Sequence, residues 1–434
     1  MRVQMIFLGA VLAIGLFFTP PAFSAEYSLE DLYRLALERA EKIGLSEGNL
    51  RLAETSKDKA TAALMPKLTA FNDYRQYNEK KYNERNALIQ PDSTQQWGVR
   101  LDQQFSLSFR EFTAFGMTKN NIEKSKLDLA AIKENYLLLV AQAYYEVLKA
   151  KKNLDITTSN LERLSKYRDA AEKRLKVGEV TKTVLLRAEG ELSGAKADQI
   201  KAENGLALTK AQLVRIVGLD ADFSLKENPA QDTPMLSLPE LQNTAFSERS
   251  DLKSLEVQKK LAEQQVTYAN GAFWPNLGIY GVYQRSAQDP DSATLNKEST
   301  YAGLSLTFPF FEGGLRKAEW QEAKIKENQA RLQYADLKKT IGLEVETVYL
   351  DLVTQKEALI FLKDQLVFAQ ENYRGIERQF EVGLANSIDV MDANTLLVSS
   401  ERKFNEAAYI RQLSMLRIKQ VTGAFLKEVV PENR

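Results

Sequence analysis

Trp97-Gly98-Val99-Arg100-Leu101-Asp102-Gln103-Gln104-Phe105-Ser106-Leu107-Ser108-Phe109 is the stretch on which the fold turns. Trp97, Val99, Leu101, Phe105, Leu107 and Phe109 alternate with Gly98, Arg100, Asp102, Gln104, Ser106 and Ser108, a period of two that gives a β-strand one apolar and one wet face. The same phase recurs downstream, where Ala302, Leu304, Leu306, Phe308 and Phe310 alternate with Gly303, Ser305, Thr307 and Pro309. Partner strands precede each at 67–77 and 276–285, so the pattern predicts hairpins over about 67–109 and 276–310. Strands of this length cross a bilayer when tilted, which takes about 9 to 11 residues. An amphipathic hairpin on a soluble core would alternate in the same way, so the strands alone do not decide between the two.

The two hairpins belong to an internal duplication. Leu29, Leu32, Ala36, Ala53, Pro66 and Leu68 match Leu238, Leu241, Ala245, Ala262, Pro275 and Leu277 at a spacing of 209. From Gly98 onward the spacing becomes 205, with Leu101, Phe105, Leu127, Leu154, Val177, Gly178, Ala188 and Gly218 matching Leu306, Phe310, Leu332, Leu359, Val382, Gly383, Ala393 and Gly423. The change falls between the hairpin strands, where a loop absorbs it. Pro229, Pro234 and Pro239 interrupt any helix at the junction. The expected organisation is a leader at 1–24 and repeats at 25–230 and 231–434, each running helix, hairpin, long helix, helix.

Between the hairpins and the repeat ends, 120–176 and 315–381 carry no proline. At 1.5 Å per residue these helices reach roughly 85 and 100 Å. Leu352, Gln355, Leu359, Leu362, Leu366, Ala369, Tyr373, Ile376 and Phe380 step by three and four, a coiled-coil seam duplicated at Val147, Ala150, Leu154, Thr157, Leu161, Leu164, Arg168, Ala171 and Leu175. Val177-Gly178 and Val382-Gly383 mark turns into shorter returning helices.

Arg2, the apolar run 6–18, Pro20 and Pro21, and then Ala22-Phe23-Ser24-Ala25 have the layout of a secretory signal peptide cut after Ser24 or Ala25. The apolar run is too short to span a bilayer as helix. Zero Cys and zero His remove thiol nucleophiles, imidazole bases and His-ligated zinc, and an N-terminal lipid has no cysteine to carry it. With Lys+Arg and Asp+Glu both at 58, no basic field invites nucleic acid. The expectation is a chain without cofactor or metal and not an enzyme. A mature chain without an apolar helix of membrane length can span lipid only as a β-barrel. Four strands cannot close one, so chains must share it, and two, three or four copies would all satisfy closure. The aromatic girdle of such a barrel would come from Phe71, Tyr74, Trp97, Phe105, Tyr280, Tyr283, Tyr301, Phe308 and Phe310, with Arg100 and Asp102 facing the lumen.

Pro66-Lys67-Leu68, Pro275-Asn276-Leu277, TFPFFEGG from Thr307, VGEVT from Val177 and VGLANSIDVMDA from Val382, set in this duplicated frame, make the chain resemble TolC-like outer-membrane efflux proteins. The first repeat departs from the pattern: QFSLSFREF from Gln104 lacks the PFFEGG form. The resemblance implies a mixed α and transmembrane β protomer that trimerises into a 12-stranded barrel continued by a periplasmic α-helical tunnel. It implies an outer-membrane location with a large periplasmic extension, a periplasmic adaptor protein and an inner-membrane pump as partners, and a role as exit duct for efflux or type I secretion. It places Asp389 and Asp392 at a periplasmic constriction, and Val177, Gly178, Glu179, Val382, Gly383 and Leu384 at tips where an adaptor docks. First-turn acids also stabilise a helix N-terminus, and glycines at positive φ also end helices, so each site has a plain structural alternative. A soluble periplasmic coiled-coil adaptor or scaffold would explain export and helices but not the duplicated aromatic hairpins. A carboxylate-based periplasmic hydrolase would need an acidic pair in a pocket.

Overall fold

The computed structural model describes residues 25–220, 222–227, 236–294 and 296–430. The expected leader at 1–24 and the junction residues 228–235 lie outside them. In chain order the elements are β1 (Ala25–Tyr27), α1 (Leu29–Arg39), α2 (Glu41–Ala63), β2 (Lys67–Gln76), β3 (Lys81–Tyr82), β4 (Leu88–Gln90), β5 (Ser93–Ser106), α3 (Arg110–Lys176), α4 (Lys182–Val217) and β6 (Phe223–Leu225). The second half continues with α5 (Leu238–Glu248), α6 (Ser250–Asn270), β7 (Asn276–Asp289), β8 (Glu298–Thr307), α7 (Leu315–Glu381), α8 (Ser387–Val421) and α9 (Phe425–Val429). Among the described residues no helix is long and apolar enough to cross a membrane.

In two of the helix pairs the duplication is kept to the residue. Helices α1 and α5 both run 11 residues, and each starts at a Ser capping box, Ser28 with Asp31 and Ser237 with Glu240. Helices α3 and α7 both run 67 residues, about 100 Å. Every position of both predicted seams is buried or half-buried. Within the chain α3 packs on α2, α4, α6 and α8, whereas α7 packs on α5, α6 and α8.

One four-stranded antiparallel sheet in the order β2-β5-β7-β8 joins the two hairpins. The inner strands β5 and β7 are 14 residues long and the outer strands β2 and β8 are 10. The strands stop earlier than the alternation predicts. Beyond Ser106 the Leu107 N–H still bonds the Pro275 carbonyl at 2.9 Å, but Pro275 has no N–H to return, the Ser106 N–H bonds the Glu111 carboxylate at 3.1 Å past the start of β2, and Phe109, at φ 57°, starts α3 instead of extending the strand. Strand β8 ends at Thr307, since Pro309 has no N–H to give a ladder and Gly313 and Gly314, at φ 62° and 88°, turn the chain into α7. Leu107, Phe109, Phe308 and Phe310 therefore lie beyond their strands.

The main core sits where the helices pass the repeat ends. Leu32, Ala36, Leu137, Val140, Ala141, Tyr144 and Leu213 have no exposed surface and pack with Phe223 and Phe425. Strands β1 and β6 pair in parallel at this level. The N-terminus of α9 is held by buried Glu134, whose carboxylate accepts the Phe425 N–H at 3.1 Å. Burial pushes this carboxyl above the usual range, against the pull of the Phe425 and Leu426 N–H groups. Nearby, Arg249 is buried between Asp251 and Glu344, with contacts of 2.6 Å to each.

Gly423 ends α8 at φ 73°, and a Cβ there would stand 2.9 Å from the Arg249 backbone. Gly383 has φ 82° but open space around it. Replacing either with Ala costs about 1–2 kcal/mol of left-handed strain. Gly423→Ala adds a clash with backbone that cannot rotate away, so its thermal midpoint, followed by helical circular dichroism, falls further than that of Gly383→Ala. Equal shifts would mean that the close approach to Arg249 carries no energy.

Candidate functional site: a two-faced strand array and paired helical tips

Cross-strand register fixes which side chains share a face. Leu68 pairs with Leu101, Val99 with Tyr283, and Ile279 with Leu304, so these residues lie on one side with Trp97, Phe105 and Leu306. This side is apolar and uncovered: Leu68, Leu304 and Leu306 are 69%, 73% and 65% exposed. Trp97 and Tyr283 meet edge-on at 6.5 Å, and towards the β7–β8 turn the apolar side ends in an Arg285–Glu298 pair at 3.1 Å. Tyr74 shares this face.

The opposite side carries Asp73, Gln96, Arg100, Asp102, Gln104, Gln284 and Ser305. Phe71, Tyr280 and Tyr301, grouped above with the girdle, also fall on this polar side, since Phe71 pairs with Gly98, Asp102 with Tyr280, and Val282 with Tyr301. Their placement on this side, away from a lipid-facing girdle, has a physical cause. Each of two of these rings lies across a glycine of the next strand: a Cβ on Gly303 would be 2.5 Å from Tyr280 Cζ, and one on Gly98 would be 3.0 Å from Phe71 Cζ. Aromatic cover of a sheet glycine shields its bare backbone. The joint is duplicated, as Phe71 matches Tyr280 at a spacing of 209 and Gly98 matches Gly303 at 205, a signal that the sequence held but that a list of aromatics overlooked. Arg100 sits 5.2 Å from the Tyr280 ring and bonds Asp102 through Nε at 2.7 and 2.9 Å. Tyr280 and Tyr301 stand edge-on at 6.4 Å. Phe310, 91% exposed, lies past β8 with Phe308, whose ring it meets at 5.0 Å.

At the other end of the long helices the two tips are the same motif. The Gly178 N–H bonds the Leu175 carbonyl at 3.1 Å and the Glu179 N–H bonds that of Arg174 at 2.9 Å; Gly383 with Phe380 and Leu384 with Gln379 repeat this at 3.1 and 2.7 Å. Both are Schellman closures with Gly at positive φ. The tips are bare: Val177, Val382 and Leu384 are 71%, 71% and 81% exposed, and Glu179 is exposed as well. Arg174 ties them together, donating to the Glu381 carbonyl at 2.9 Å with its guanidinium 4.4 Å from the Phe380 ring. Behind them Leu164, Tyr167, Ala171, Ala188, Phe380, Val390 and Met391 form a core shared by α3, α4, α7 and α8.

Asp389 and Asp392 lie just beyond the second tip, in the first turns of α8. Asp389 closes a capping box: Asn386 Oδ1 accepts the Ile388 and Asp389 N–H groups at 2.7 and 3.1 Å, while Asp389 Oδ2 accepts the Asn386 N–H at 2.9 Å. Asp392, one turn on, is exposed. Cross-repeat polar ties that the sequence did not reveal run deeper along this bundle, with Arg163 and Asn160 both bonded to buried Asn394 at 3.0 and 2.8 Å.

An open sheet with one uncovered apolar face, set on 67-residue helices that end in a paired tip, defines a protomer of a membrane barrel with a helical extension. The model of the outer membrane efflux protein family matches residues 32–219 and 241–424, and the chain belongs to that family. It is 24% identical to the outer membrane protein TolC of Vibrio cholerae over 309 residues, which is 69% of this chain and 70% of that one. It is 23% identical to a probable outer membrane lipoprotein, SilC, of Salmonella typhimurium, covering 86% of this chain and 82% of the relative. Its fold matches the Campylobacter jejuni CmeC outer membrane channel with a TM-score of 0.83 at 16% identity, over 92% of this chain and 86% of that one. The protein is an outer-membrane channel component.

The face assignment predicts thiol chemistry. In this cysteine-free chain, single Cys at Phe71, Tyr280 or Tyr301 reacts with a charged, membrane-impermeant thiol reagent in the assembled protein. Cys at Val99, Leu101 or Leu304 reacts much more slowly until detergent dissolves the lipid. Equal rates at both sets would overturn the assignment.

Proposed function

We propose that three copies of this chain complete one twelve-stranded barrel and that their helices form a periplasmic tunnel below it, the exit duct through which an inner-membrane pump passes substrate outward. The observation that carries this is the pair of open edges: β2 and β8 each have a single neighbour in a sheet whose outer face is apolar. Every backbone group left unpaired in hydrocarbon costs several kcal/mol, so the edges demand partners. A second feature supports self-association. Ile325, Leu332, Leu343, Leu350, Phe361 and Phe368 of α7 are 61%, 59%, 66%, 54%, 72% and 62% exposed. They follow steps of 7 and 11, which keep them within about 20° on one side of the helix. Of the matching α3 positions, Leu127, Leu138 and Tyr145 are half-buried and Ile156 is buried. A copy of the chain covers the α7 stripe. Three is the number that the family resemblance implies.

The bare tips serve as the docking ends for a periplasmic adaptor, since Val177, Val382 and Leu384 offer apolar contact at the end of a rigid core. Asp392 supplies a ring of carboxylates at the same end, one from each copy, and such a ring favours cations and narrows the passage. Asp389 is partly committed to its cap, so Asp392 carries more of this role.

The mass of the detergent-solubilised particle, read with single-channel conductance in planar bilayers, tests the assembly. Three chain masses and discrete conductance steps are expected; a monomer without conductance would end the proposal. Asp392→Asn raises conductance and lowers cation preference while leaving the capping box intact. Unchanged selectivity would move the constriction elsewhere.

A further inference from the structure

The duplication dictates how neighbouring copies meet in the barrel. Strand β2 maps onto β7 at a spacing of 209 and β5 onto β8 at 205. Applied to the first hairpin, where Lys67 faces Asp102, these spacings give Asn276 facing Thr307, and that is the pair observed. Register inside the hairpins is thus copied without slippage. The joint between repeats, β5 with β7, has only one counterpart under the same mapping, which is β8 of one copy with β2 of the next.

Resting on the reading of the chain as one protomer of a shared barrel, we propose that β8 pairs antiparallel with β2 of a second copy in the register of the internal β5–β7 joint, with Leu304 opposite Tyr74 of that copy. The observed pair Val99–Tyr283 maps to Leu304–Tyr74, Arg100–Val282 to Ser305–Asp73, and Phe105–Leu277 to Phe310–Leu68.

Backbone hydrogen bonding agrees independently. The Tyr77 N–H bonds the Asp92 carbonyl at 2.9 Å, so odd residues of β2 bond β5 and even ones point their N–H and C=O groups outward. The Ser286 N–H bonds the Lys297 carbonyl at 3.1 Å, so odd residues of β8 bond β7 and its even residues face outward. Both free edges are even-numbered rows, and Leu304 with Tyr74 joins two such rows. A one-residue slip would break this match and turn apolar side chains to the polar face. Pro309 is odd, so its missing N–H faces β7 and costs the seam nothing.

The remaining registers differ by two residues. The proposed one lays Leu304, 73% exposed, against Tyr74, 61% exposed, and Phe310, 91% exposed, against Leu68, 69% exposed. Shifting by two either way sets Leu304 against Asn72 or Gln76 and pairs Phe308 with Leu68 or Leu306 with Tyr74 in its place, so the repeat mapping, which allows one register only, decides among the three.

The chain has no cysteine, which makes the test clean. Ser305 and Asp73 would form a non-hydrogen-bonded pair about 4.5 Å apart at Cα, within disulfide range. Mild oxidation of Ser305→Cys/Asp73→Cys yields a covalent trimer on non-reducing gels that collapses on reduction. Ser305→Cys/Phe71→Cys and Ser305→Cys/Arg75→Cys, each displaced by two, stay mostly monomeric. Leu304→Cys/Tyr74→Cys probes the same register from the other face, in case charge loss at Asp73 impairs assembly. Particle mass in detergent is read alongside. A trimeric particle that cross-links only through a displaced pair, or through none, overturns the register and leaves the shared barrel standing. A monomeric particle with no cross-link removes both.

Discussion

Backbone polar groups have no water to turn to inside a bilayer, and this constraint orders the rest of the molecule. A soluble protein can leave a strand edge to solvent. Here the sheet has two free edges and a face that is mainly apolar from Trp97 to Phe105 and from Leu277 to Tyr283 on its inner strands, and each edge alone would be untenable in lipid. The chain solves half of the problem within itself by fusing two hairpins through the β5–β7 joint. The other half is left to a second copy, so the fold is complete only as an assembly.

The helices answer to a different rule. Once the strands end, water is available, and the long helices need only bury their seams. Helix α3 is covered by helices of both repeats, whereas α7 meets first-repeat helices at its tip and keeps an apolar stripe bare along its length. Duplication thus produces two nearly equivalent long helices, one satisfied within the chain and one waiting for a neighbour, just as β5 is satisfied and β8 is not. The level near α9 is the exception to this looseness. There Glu134, Arg249 and Gly423 lock the end of α8, α9 and the start of α6 to one another by buried charge and backbone contact.

Much of this was legible in the amino-acid sequence because period and spacing carry it. Alternation marked the strands, proline-free runs marked the long helices, and matched positions at 209 and 205 marked the two repeats. The Val-Gly turns fell where the Schellman closures sit. What stayed hidden depends on contacts that spacing does not encode. Alternation continues through Leu107 and Phe109, but Pro275 has no N–H to return to Leu107 and Phe109 turns left-handed into α3, so the strand stops. Phe71, Tyr280 and Tyr301 were grouped with the girdle by residue type, whereas the face of an aromatic is set by register, and here two of the rings cover glycines on the polar side. Asp389 looked equivalent to Asp392 until its carboxylate was found closing the Asn386 cap.

The two repeats are not copies in every respect, and the differences concentrate where function would need them. Hairpin register, the length of the long helices and the tip closures are the same in both halves, because these set the wall and any drift would break its continuity. The acidic pair occurs only after the second tip; the matching first-repeat positions are Val184 and Arg187. The second tip presents Leu384 where the first presents Glu179. A ring built from such chains therefore alternates two kinds of tip around its axis. Wall positions are fixed by closure and must be equivalent, whereas tip positions face solvent, bear no closing constraint, and are free to diverge towards gating on one repeat and packing on the other.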